Sequence, residues 1–229
     1  MSSNNSQSTQ STTTNKPRNF LVTDATKPYT FTFLQYGKPV TIAVDQTAAE
    51  ETWPGGSLWD IGVILANVLV CVAGFQPSGK GTIQPPPRLM QAIPSVKDLT
   101  VLELGCGVGL TGIVAAAVFG SQLTVLTDLD VVVEKVARPN VEANSTETIS
   151  TKQMPYRLTK AGKRGRIMAL PLCWGNENDD QAVMECFLKY SKEEKSRRKS
   201  SKKGAKLPPK DLRQPDMIVI GDVAYQHKP

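Results

Sequence analysis

The chain has 229 residues, 40% of them hydrophobic, enough for one substantial core, and its four cysteines carry neither metal-ligand nor disulfide spacing. The single histidine, His227, excludes most histidine-based zinc sites, so no metal centre is expected and the thiols read as reduced. The net charge of +6 is unevenly placed: Lys189 to Lys210 holds ten basic and two acidic residues, Lys152 to Arg166 holds six basic and no acidic ones, and the rest of the chain has 11 basic against 19 acidic, a balance that suits a cationic partner such as a lysine-bearing surface.

Residues 1–27 are rich in Ser, Thr, Asn and Gln and read as a disordered tail. They contain no apolar segment of the secretory type, so a cytoplasmic protein is expected. Residues 28–229 read as a single domain. Tyr29 to Leu34 and Val40 to Val44 alternate apolar and polar residues around a Tyr-Gly-Lys-Pro turn, which predicts a β-hairpin outside the main sheet. Ile61 to Phe75 is uncharged, but shorter than the roughly 20 residues that a membrane span needs. It predicts a buried helix, and no membrane association is expected. Flexible loops are predicted near 76–98 and 152–165, where Gly, Pro and basic residues collect.

Between them strand and helix patterns alternate. Strands are predicted at Thr100 to Leu104, Leu123 to Thr127, Arg166 to Leu172 and Met217 to Ile220. Helices are predicted at Leu110 to Phe119, near Val131 to Ala143 with Pro139 kinking or delimiting it, and briefly at Gln181 to Tyr190. Right-handed crossovers would give an α/β doubly wound sheet of strand order 3-2-1-4, its ligand crevice at the carboxyl ends of the strands. The basic insertion 189–212 contains Ser, Gly and Pro and reads as solvated. Nuclear targeting, or a nucleic-acid contact through 189–210, is the other reading.

The chemistry concentrates at Glu103-Leu104-Gly105-Cys106-Gly107-Val108-Gly109, between the first strand and its helix. A dinucleotide fingerprint G-x-G-x-x-G fails here, because Leu110 stands where the third glycine should be. That argues against an NAD-dependent oxidoreductase. S-adenosylmethionine (SAM) has no pyrophosphate, and it fits the remaining pattern. Glu103 offers a carboxylate to the cationic amino group, directly or through water. Loop and helix-start N–H groups favour the methionine carboxylate. Asp128, ending the second strand, supplies the two acceptor oxygens that a ribose diol needs.

Further segments fall in order: Gly55-Gly56-Ser57-Leu58-Trp59-Asp60, Leu102 to Gly112, Thr127-Asp128-Leu129, Asn140 with Asn144, Leu172-Cys173-Trp174-Gly175, and Asp222 with Tyr225. In these the chain resembles the seven-β-strand protein lysine methyltransferases (methyltransferase family 16), from about Tyr29 to Tyr225 with one insertion. The resemblance implies a Rossmann-like class I SAM-dependent methyltransferase fold. It implies cofactor contacts from Trp59, Gly105, Cys106, Gly107, Asp128, Trp174 and Gly221, and a substrate channel lined by Asp222 and Tyr225. Taken alone, Trp59 has a second reading as a helix-entry packing residue and Trp174 one as a core aromatic, although an indole at that strand end could wall an adenine. The expected activity is methyl transfer from SAM to a lysine of a protein substrate. A non-catalytic SAM-binding fragment, or a module completed by a partner chain, is the alternative. Family members continue through three more strands, which the sequence after Tyr225 lacks, so a truncated chain is expected. The oligomeric state is left open.

Overall fold

The computed structural model describes residues 27–47, 53–78, 87–88, 99–146, 148–150, 155–160, 162–163, 165–200 and 214–221. The expected tail, Asp222, Tyr225 and His227, most of the loop near 76–98 and residues 201–213 lie outside these. Two sheets are formed. The smaller joins β1 (Tyr29–Gln35), β2 (Lys38–Val44) and β3 (Gln76–Ser78) in the order β2-β1-β3. The β1–β2 hairpin is the one the alternation predicts, closed at Tyr36-Gly37, both with positive φ, as a tight hairpin turn requires. The strand β3 corrects the expected loop start at Gln76: three residues pair antiparallel with β1.

The larger sheet contains β4 (Thr100–Leu104), β5 (Leu123–Asp128), β8 (Arg166–Pro171) and β9 (Met217–Ile220), all parallel, in the order β8-β5-β4-β9. This is the expected 3-2-1-4 arrangement. Two short antiparallel strands, β6 (Ile149–Ser150) and β7 (Pro155–Leu158), extend it beyond β8. The basic segment 152–165 is therefore not simply a loop: Arg157 and Leu158 pair with Ile167 and Arg166.

One face of the sheet is covered by α1 (Asp60–Val72) and α2 (Leu110–Phe119), which pack on each other and on the hairpin. Val101, Leu126, Ile167 and Val219 point into this core, with Phe33, Ile42 and Val44 from the hairpin. The apolar run from Ile61 thus forms a 13-residue buried helix, and among the described residues no helix is long and apolar enough to cross a membrane. The opposite face, with Leu102, Leu123 and Val125, is covered by α5 (Glu177–Ser200) through Val183, Cys186, Phe187 and Tyr190.

Between β5 and β6 the chain makes a short helix α3 (Asp130–Val132), a π-helical turn (Val133–Ala137) and α4 (Arg138–Ala143). Pro139 sits in the first turn of α4 and cannot donate to the preceding turn, so the widened π turn just before it absorbs the mismatch. The helix expected at 181–190 is much longer, running to Ser200. Three forces extend it. Asn176 caps its start by accepting the Asn178 N–H. Glu177, Asp179 and Asp180 occupy the first turn, where the helix dipole favours negative charge. Glu185 pairs with Lys189 one turn on. The first half of the basic run is therefore helical.

Candidate functional site

Because β4, β5, β8 and β9 are parallel, their carboxyl ends share one edge of the sheet. The glycine loop leaves β4 there, Asp128 ends β5, Trp174 follows β8 and Gly221 follows β9. The loop is held from both sides. The Cys106 N–H donates to the Thr127 carbonyl at 2.9 Å, and the Gly107 N–H donates to Asp128 Oδ2 at 2.8 Å. Asp128 Oδ1 accepts the Leu129 N–H at 2.7 Å. Each carboxylate oxygen thus holds one backbone donor and retains a lone pair. Burial pushes the Asp128 carboxyl up, while these two N–H groups pull it down.

Gly107 is required by close approach as well as by its positive φ of 52°: a Cβ there would lie 3.2 Å from the carbonyl oxygen of Gly55. Gly55 thereby packs against the loop, and Trp59, four residues on, opens α1 and is 44% exposed. Trp174 is 55% exposed, in a turn where Asp179 accepts the Cys173 N–H at 2.9 Å. Neither indole is the packed core aromatic that the residue type alone permits. Gly221 lies beside the start of α1, 3.9 Å from Ile61 Cγ2 to a Cβ built on it.

Two residues have different surroundings from those the sequence implies. Glu103 does not stand open at the strand end. It shares the face of β4 that carries Val101, is 4% exposed, and its Oε2 accepts the Gly112 N–H at 2.9 Å beneath the first turn of α2. That N–H is one of the helix-start donors with no intrahelical partner, so the carboxyl caps α2 from below. Cys106 is buried, with its side chain in the core, and burial pushes its thiol well up. Only its backbone belongs to the loop surface.

Burial pushes the Glu103 carboxyl up to about 8, against the lowering pull of Gly112 and Thr111. An acid raised in the folded state binds a proton that the unfolded chain releases, so its contribution is full below about 4.5 and is lost as pH rises to about 8. Stability should fall across that window with a slope approaching about 1.4 kcal/mol per pH unit. Glu103→Gln should flatten the slope in urea unfolding at pH 5, 6.5 and 8. An unchanged slope would show that other groups carry it.

A glycine loop at a parallel strand end and a carboxylate 21 residues after Gly107 are thus bonded together, and Trp59 and Trp174 are exposed. A family model described as lysine methyltransferase matches residues 40–187. The chain belongs to the lysine methyltransferase family. The matched span contains Trp59, the glycine loop, Asp128 and Trp174. No curated protein matches the chain. Class I methyltransferases use SAM as methyl donor, and the glycine loop with the remaining acceptor capacity of Asp128 fits that group. Among the described residues no cluster of His, Cys, Asp or Glu could hold a metal ion.

Sequence reading left the contacts made by Asn140 and Asn144 undefined. Both reach the hairpin: Asn140 bonds the backbone of Asp45 and Asn144 that of Ala43. The signal was their four-residue spacing, which puts both amides on one side of a helix.

Proposed function

We propose that this chain transfers a methyl group from SAM to a lysine side chain of a protein substrate. The observation that carries the reading is the family match across the glycine loop and Asp128, joined to the bonding of that carboxylate. Asp128 would hold the ribose hydroxyls through its remaining lone pairs. Gly105, Gly107 and Gly221 would let the backbone approach the ligand closely, and Trp59 and Trp174 would flank it. Glu103 would act mainly by holding the start of α2. Once bound, SAM supplies an electrophilic methyl on a sulfonium, open to direct displacement by an amine.

The chain's own task is alignment, which can contribute several kcal/mol to such a reaction. A lysine amine with a reference pKa of about 10.4 must also lose its proton, and an apolar channel favours the neutral form. Asp222 and Tyr225, just beyond Gly221, would orient that amine. The acidic balance outside the two basic segments supports a cationic substrate.

The test is transfer of labelled methyl from SAM to proteins of a cell extract, with the labelled residue identified. Label on lysine supports the proposal, whereas label on arginine, histidine or a small molecule replaces its substrate half. Cofactor binding without any transfer would favour a binding module. Asp222→Ala should bind SAM as the wild type does and lose transfer by about 100-fold, the scale set by misplacing a reactant by about 1 Å. Full turnover would remove Asp222 from the mechanism.

A further inference from the structure

Near its end, the free edge of β2 is met by a helix rather than a strand. Asn140, within α4, and Asn144, its C-cap, stand four apart, about 6 Å along the helix axis, and Ala43, in β2, and Asp45, the first residue past its end, stand two apart, about 6.6 Å in extended chain. The repeats match, so each side-chain amide pairs with one backbone unit. Asn144 Oδ1 accepts the Ala43 N–H at 3.3 Å and its Nδ2 donates to the Ala43 carbonyl at 2.6 Å. Asn140 Oδ1 accepts the Asp45 N–H at 2.8 Å and its Nδ2 donates to the Asp45 carbonyl at 2.9 Å.

Asn140 does something that Asn144 does not. Its Nδ2 also donates to the carbonyl of Val108, inside the glycine loop, at 2.9 Å, and the residue is 2% exposed. The segment it grips leads on to the facing wall. Gln46 accepts the Leu58 N–H at 2.7 Å, next to Trp59, and the Thr47 N–H donates to Gly56 at 2.9 Å. One buried amide therefore sits where the glycine loop and the Trp59 segment are both registered against the hairpin.

We propose that Asn140 is a positioning residue for the cofactor site: it fixes the glycine loop and the Trp59 wall relative to each other through Val108 and Asp45. The inference rests on the SAM reading given above. Asn144 supplies the control, since it ties the end of the same helix to Ala43, two residues from Asp45, without touching the loop. In calorimetric titrations with S-adenosylhomocysteine, Asn140→Ala should weaken binding about tenfold or more, while Asn144→Ala stays within about twofold despite a comparable fall in melting temperature. Asn140→Asp, which keeps the acceptor for the Asp45 N–H but loses the donor to the Val108 and Asp45 carbonyls, should behave like Asn140→Ala. The turnover number at saturating SAM should change much less than the Michaelis constant. Equal affinities in the Asn140→Ala and Asn144→Ala proteins would overturn the proposal.

A measurement on the wild type keeps the test alive if Asn140→Ala does not fold. Bound S-adenosylhomocysteine should slow hydrogen exchange at the Asp45 amide by tenfold or more, and at the Ala43 amide clearly less. Equal protection of the two would overturn the proposal, with the cofactor reading intact. Failure of the wild type to bind S-adenosylhomocysteine would remove the cofactor reading itself, and this inference with it.

Discussion

Asp128→Ala is expected to weaken SAM binding by about 10²- to 10⁴-fold and to abolish transfer at ordinary cofactor concentrations. A hydrogen bond to a charged acceptor contributes about 1.5–3 kcal/mol. Two such bonds to the ribose hydroxyls give about 3–6 kcal/mol, at about 1.4 kcal/mol per factor of ten. The same substitution releases the Gly107 and Leu129 N–H groups, so the loop loses its tie to the end of β5. Asp128→Asn should not be neutral. Both oxygens already accept a backbone N–H, so the new amide group would set a donor against a donor at one of them. Titration with S-adenosylhomocysteine, with circular dichroism to confirm the fold, measures both variants. Wild-type affinity in Asp128→Ala would remove this carboxylate from the site.

The parts of the structure that the sequence made legible are those written in local pattern. The parallel strands are apolar runs, three of which end at Gly or Asp, and their order follows from right-handed crossovers, so β8-β5-β4-β9 is legible in the sequence. The β1–β2 hairpin carried its alternation and its turn. What stayed hidden was either short or long-range. Three residues from Gln76 do not announce a strand, and Pro155–Leu158 lies in a basic stretch whose composition reads as a loop. The surroundings of Glu103 follow from parity. It lies two residues from Val101 and so on the α2 face, but only knowledge of which face α2 covers turns that parity into a buried acid. The bonds of Asn140 to Asp45 join residues 95 apart in the chain, and no window of sequence contains both. Asp222 and Tyr225, read as lining the substrate channel, lie outside the described residues, and their roles stand on the resemblance.

Gly112→Val is expected to destabilise the fold by about 3–5 kcal/mol, a large share of the 5–15 kcal/mol that holds a domain together. Glycine inside a helix is about 1 kcal/mol worse than alanine, so its presence in α2 needs a reason. A Cβ at this position would lie 2.5 Å from Glu103 Oε2 and 2.6 Å from Leu126 Cδ1. Both side chains are buried, and neither can swing out to solvent. For Gly112→Ala, an overpacking cost of about 1–3 kcal/mol opposes a helix gain of about 1, leaving a small net loss. Valine adds two more methyl groups and lowers the gain. It also pushes the carboxyl off the Gly112 N–H, leaving buried polar groups unpaired at about 1–3 kcal/mol. The melting temperature should fall by roughly 10 °C or more. Gly112→Ala combined with Leu126→Ala should cost less than the sum of the two single losses, because the two substitutions share one space. A Gly112→Val protein as stable as the wild type would mean that α2 does not rest on β4 as closely as this contact requires.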